Sequence, residues 1–199
     1  MYRIAFCFVC LFSTLAAAAE PAGPASPVVE KLHGALIQAM KGGSKLGFAA
    51  RKALLDPVVR ETYDLPAMAR VATGSAWTKF SEEEKAQVAE AFIDWTVATY
   101  AAQFKAFDGE SFVTKGEAEA ARGRRAVNTA IVPKGEEPTE LNYQLREDAG
   151  HWRIIDVYLD GSVSQLALRR SEFAAVVAKG GAAALIAQMK AQTAQLSKG

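Results

Sequence analysis

Residues 139–159 read TELNYQLREDAGHWRIIDVYL, and the fold class turns on this stretch. Leu141, Tyr143 and Leu145 alternate with Glu140, Asn142, Gln144 and Arg146. A period of two with one apolar side predicts a half-buried strand of an antiparallel sheet. Asp148-Ala149-Gly150 supplies a short turn, and 151–159 reads as the next strand. Strands this close in sequence pair as hairpins.

The same reading extends upstream. Residues 124–132 form a strand ended by Pro133-Lys134-Gly135, and 111–118 form one before it. A meander of about four strands results. Before it, the period is helical. Ser81-Glu82-Glu83-Glu84 is a capping box that opens a long helix expected to run to about Phe107. Val88, Phe92 and Trp95 make one stripe of that helix; Ile93, Val97, Tyr100, Phe104 and Phe107 make a neighbouring one. Together they span roughly half the circumference, wider than a core-facing helix needs. Further upstream, residues 28–40 read as a helix ended by Gly42-Gly43. Residues 46–63 read as a second helix, bent or broken near Pro57. Asp64 caps a short helix that Gly74 closes. After the strands, 164–179 and 182–196 are helical, divided by Gly180-Gly181. Segregated helices and strands predict an α+β domain. Its helices pack on one face of a curved antiparallel sheet, a cone like that of cystatin or nuclear transport factor 2, able to enclose an apolar pocket.

The first 19 residues stand apart. Arg3 is followed by an apolar run, 4–15, and by Ala16-Ala17-Ala18-Ala19. That is the pattern of a cleaved secretory signal peptide, and the run is shorter than the roughly 20 residues a bilayer span needs. Residues 20–27, with three prolines, read as a flexible leader, and 28–196 as a single domain. Both cysteines, Cys7 and Cys10, lie in the signal segment, so export would leave no thiol chemistry and no disulfide. With Arg3 gone, the formal charge falls from +1 to 0, which gives nucleic acid no electrostatic hold. His33 and His151 lack ligand spacing, so no metal is expected. Phosphate-loop, dinucleotide and nucleophile-elbow motifs are absent from the sequence.

The segment HWRIIDVYLDGSVSQLALRRSEF, 151–173, resembles the signature of the MlaC-type family, also called the toluene-tolerance or ABC-transporter auxiliary family. The matching features are Trp152 leading a strand, Asp156-Val157, Gly161-Ser162, Arg169-Arg170 and Ser171-Glu172-Phe173. Asp64, Gly74, Trp77, Ser81, Phe92 and Tyr100 fit the pattern upstream, so the resemblance covers 28–189. The wording SQLALRRSEF resembles the hopanoid-associated HpnM branch more than the phospholipid-carrying one. The resemblance implies a periplasmic carrier with an apolar pocket and no cofactor. It would pass a hopanoid-like lipid or a phospholipid between membrane-bound transport complexes of the inner and outer membranes.

The pocket is then expected from Phe92, Trp95, Tyr100 and Phe104 on the long helix. Val127, Ile131, Leu141, Tyr143, Leu145, Trp152 and Ile154 join from the sheet. Asp156, between Ile155 and Val157, needs partners in an apolar strand. They are either backbone N–H groups or Arg169 or Arg170; alternatively these polar groups ring the pocket mouth and meet a lipid headgroup. Arg122, Arg124 and Arg125 are either a solvated strand edge or a docking patch for a partner or anionic lipid. Nothing in the sequence demands more than a monomer. Two other functions fit the same residues. One is an isomerase- or dehydratase-type enzyme on an apolar substrate, using Asp156 with Tyr143 or Tyr158. The other is a ligand-free adaptor of a membrane complex.

Overall fold

The computed structural model describes residues 23–198. The expected signal peptide, with both cysteines, lies outside them.

Helix α1, Ser26–Thr62, is one element with non-helical dihedrals at Gly43 and Gly47. The break thus falls at the glycines and not at Pro57, which sits inside the helix between buried Leu55 and Val59. The helix also starts two residues before the expected boundary, and what holds its start is Glu117 from the sheet. That carboxylate accepts from Ala25 N–H at 3.0 Å, Ser26 N–H at 2.7 Å and the Ser26 hydroxyl at 2.8 Å. It does the work of an N-cap on a helix whose own cap, Ala25, offers no side-chain oxygen. Gly23 passes so close that a Cβ there would lie 2.3 Å from Glu117 Oε1.

Helix α2, Leu65–Thr73, is capped by Asp64, whose carboxylate accepts from Ala67 N–H at 3.2 Å. A 3₁₀ turn, Gly74–Lys79, leads to α3, Glu82–Gln103, opened by the Ser81/Glu84 capping box. Helix α3 stops before Phe107, because Phe104 leaves the helical region at φ −95° and ψ 60°.

Strands β1 (Ser111–Ala120), β2 (Arg124–Val132), β3 (Thr139–Asp148), β4 (His151–Leu159) and β5 (Val163–Ser164) form an open antiparallel sheet in sequence order. The fifth strand is two residues long and too short to leave a periodic signal. The β3–β4 turn works because Ala149 and Gly150 both adopt positive φ, 48° and 81°, as a tight hairpin requires. Helix α4, Gln165–Leu196, breaks at Gly180 and Gly181 as expected. By length and composition it passes for a membrane span, but it is kinked and buries Leu166, Phe173, Val177, Leu185 and Met189 in the domain.

The helices cover one face of the sheet, and Val127, Tyr143, Leu145 and Ile154 join the common core with Leu32, Leu55, Val88 and Phe92. The α+β architecture stands as expected, with five strands in place of about four.

Candidate functional site

Register decides which strand residues face the helices. Leu141 is paired with Leu159, Tyr143 with Val157, and Leu145 with Ile154. Between the last two pairs Ile155 is left unpaired, a β-bulge. The bulge shifts the phase of β4. Trp152 and Ile154 point inward before it, and Val157 and Leu159 after it. Strict alternation through 152, 154 and 156 would have put Asp156 inward. Asp156 instead pairs with Gln144.

Between α3 and the β3–β4 face lies a cleft of about 240 Å³, closed at its sides by α2 and the start of α4. Phe92, Trp95, Tyr100, Phe104, Leu141 and Tyr143 line it, six of the residues expected from sequence. Tyr63, Met68, Thr96, Thr99, Gln103, Val157, Leu159, Gln165, Leu166 and Arg169 complete the wall. Val127, Leu145 and Ile154 also face the helices but are wholly buried in the core, and none of them lines the cleft. Trp152 packs on the core nearer the hairpin end, and Ile131 sits on β2 away from the cleft. Of the sheet residues expected in the pocket, Leu141 and Tyr143 are thus the two that border the cleft.

The aromatic lining is interlocked. Phe92 meets Trp95 edge-on at 5.9 Å between centroids, and Phe173 of α4 packs on both, at 6.4 and 5.8 Å. Tyr100 stacks on Phe104 at 5.8 Å. Thr96 and Thr99 spend their hydroxyls on the helix carbonyls of Phe92 and Trp95, at 2.7 and 2.8 Å. Their polarity is thereby neutralised within the helix.

Polar groups occupy two places. At the rim, the Arg169 guanidinium lies 4.7 Å over the Trp95 ring and bonds Glu172 at 2.7 Å. Gln103 and Gln165 also line the cleft. On the floor, the Tyr63 and Tyr100 hydroxyls bond one another, and the Tyr143 hydroxyl lies 3.0 Å from His33 Nε2. Burial raises the Tyr63 and Tyr143 phenols well above their ordinary value and pushes Tyr100 up to about 12. Burial also lowers His33 to about 4, so all four groups are neutral at pH 7. His33 itself stacks on Phe112 at 4.0 Å.

The other predicted polar residues lie elsewhere. Asp156 accepts from Val157 N–H at 2.8 Å, Leu166 N–H at 3.1 Å and the Ser164 hydroxyl at 2.6 Å. Its partners are therefore backbone and serine, not Arg169 or Arg170, and it fixes the start of α4 to β4. It lines none of the cleft. Arg170 borders a separate groove beside Gly74 and Gly181. In the basic cluster, Arg125 faces Glu117 at 3.7 Å and Glu119 at 3.3 Å, and Arg124 donates to Gln144 at 2.9 Å. Arg122 occupies the hairpin turn with φ 65°. Arg125 is thus paired with acidic side chains of β1, whereas Arg124 meets a neutral amide and keeps its charge uncompensated there.

The family model described as MlaC protein matches residues 30–191. This chain belongs to the MlaC family. Among solved structures, a phospholipid-binding protein from Ralstonia solanacearum, in complex with a phospholipid, superposes on it with a TM-score of 0.76. The two are 22% identical, and the match covers 88% of this chain and 99% of the other. At that identity the likeness is one of fold. No curated protein matches the chain.

Proposed function

We propose that this MlaC-family chain is an exported lipid carrier that holds one membrane lipid in the α3–sheet cleft and passes it between transport components of the two membranes. The observation that carries the reading is the cleft itself, an aromatic-walled concavity whose rim bears one guanidinium. Each buried methylene contributes about 0.8 kcal/mol, so even a ten-carbon segment of lipid gains about 8 kcal/mol before the costs of association. Arg169, already braced by Trp95 and Glu172, is suited to meet a charged headgroup at the mouth.

Two lipid classes remain in view. The phospholipid held by the Ralstonia protein favours a phospholipid, and the likeness of 164–173 to the hopanoid-associated branch favours a fused-ring lipid. The enzyme reading is less well supported: Asp156 lies outside the cleft that Tyr143 lines, and Tyr158, its hydrogen-bond partner on β4, does not line that cleft either. Thr99→Trp tests the carrier reading without emptying the core, since Thr99 lines the cleft and is half-buried. The variant should keep its melting temperature and lose most uptake of lipid from vesicles of phosphatidylethanolamine and phosphatidylglycerol, with or without added hopanoid. Undiminished uptake by a folded variant would reject the cleft as the binding site.

A further inference from the structure

The floor of the cleft carries more polarity than an acyl tail needs. Tyr63 and Tyr143 are each 2% exposed, yet both line the cleft with Tyr100 between them. The Tyr63 and Tyr100 hydroxyls own two hydrogens between them, and the bond joining them uses one. Among the described residues neither hydroxyl has a further hydrogen-bond partner. One O–H donor is therefore left over. Phe104, Leu141 and Val157 line the same cleft, an apolar setting in which a donor without an acceptor is costly. Tyr143 is committed to His33 and does not take it up. Burial keeps the phenols protonated at every physiological pH, so the site offers a neutral donor and no charge.

We infer that the Tyr63–Tyr100 pair recognises an uncharged oxygen, a hydroxyl or a carbonyl, on the part of the lipid that is buried. This inference rests on the lipid-carrier reading and adds a ligand class to it. The preferred lipid is amphipathic at both ends: its charged or polar head meets Arg169 at the rim, and a second, neutral oxygen reaches the floor. A saturated tail would fill the same space and leave the donor unpaired. A site that presents a hydrogen-bonding group discriminates against ligands that lack its partner.

The test uses the mature protein and fatty acids of one length. Stearate and a positional series of monohydroxy- and mono-oxostearates compete with a fluorescent fatty acid for the cleft. All share the carboxylate, so its contribution cancels in the ratio of affinities. At one chain position the hydroxy or oxo acid should bind about tenfold more tightly than stearate, the difference one satisfied hydrogen bond makes. The oxo acids, which accept but do not donate, should share the preference. In Tyr63→Phe/Tyr100→Phe that ratio should fall to about one. A ratio near one at every position of the wild-type series overturns the inference, and so does a preference that survives in the double variant. If the double variant does not fold, the wild-type series alone decides. Binding of stearate without an oxygen preference leaves the carrier reading standing and removes this one; failure of every fatty acid to bind also removes this one, and the carrier reading falls with it only if uptake from the phospholipid and hopanoid vesicles fails as well.

Discussion

Replacing Asp156 by alanine removes the acceptor on which β4, β5 and α4 converge. Its carboxylate holds Val157 N–H, Leu166 N–H and the Ser164 hydroxyl. A hydrogen bond to a charged group contributes about 1.5–3 kcal/mol, and a buried donor stranded by its loss costs about 1–3 kcal/mol. The Leu166 bond is buried, whereas those of Val157 and Ser164 are part-buried, where water recovers some of the loss. The net destabilisation is then about 3–5 kcal/mol, within the ~5–15 kcal/mol that holds a domain together. The variant should fold at 25 °C and melt on the order of 10 °C lower, since 1 kcal/mol shifts a domain of this size by about 2–4 °C. Circular dichroism gives the melting temperature, and solvent extraction gives lipid per folded molecule below it. The expected result is a lower melting temperature with unchanged lipid content. An unchanged melting temperature would refute the anchoring role. An unchanged melting temperature with lost lipid would return Asp156 to the pocket mouth.

Two further outcomes follow from buried titratable groups. Burial holds His33 at about 4, below its ordinary 6.5, so as pH falls the unfolded chain takes up the proton first. Stability should be complete above about pH 6.5 and fall by up to ~3 kcal/mol as pH drops towards 4; His33→Gln should flatten that slope in urea titrations. Glu117→Ala strips the tertiary cap from α1 and leaves Ala25 and Ser26 N–H groups unpaired; urea unfolding should register a loss of about 2–4 kcal/mol. A loss below about 0.5 kcal/mol would mean that water replaces the carboxylate at the helix start.

The sequence spoke clearly where a period was long or a cap was local. The alternation of Leu141, Tyr143 and Leu145 located the inward face of β3, and the Ser81/Glu84 box located the start of α3 to the residue. Phe92, Trp95 and Tyr100 of α3 and Phe104 just beyond its end all reach the cleft, because a wide apolar arc has room for both core and concavity. What stayed hidden depends on single irregularities. The unpaired Ile155 reverses the phase of β4, so strict alternation picks out Trp152 and Ile154 and misses Val157 and Leu159. Tyr63 reaches the floor because the chain after α1 bridges to Ile154, with Asp64 N–H donating to its carbonyl at 2.9 Å, a long-range pairing that no local pattern encodes. Arg125 read as part of a cationic cluster, since its partner Glu117 is brought to it only by the β1–β2 register.

The most direct test of the account is native mass spectrometry of the protein purified from its own cells, with organic extraction to identify any bound mass. The account predicts one lipid per chain, held in wild type and lost in Thr99→Trp. A protein that runs at its bare polypeptide mass, and stays so after incubation with phospholipid and with hopanoid, would contradict the carrier reading and favour a ligand-free adaptor.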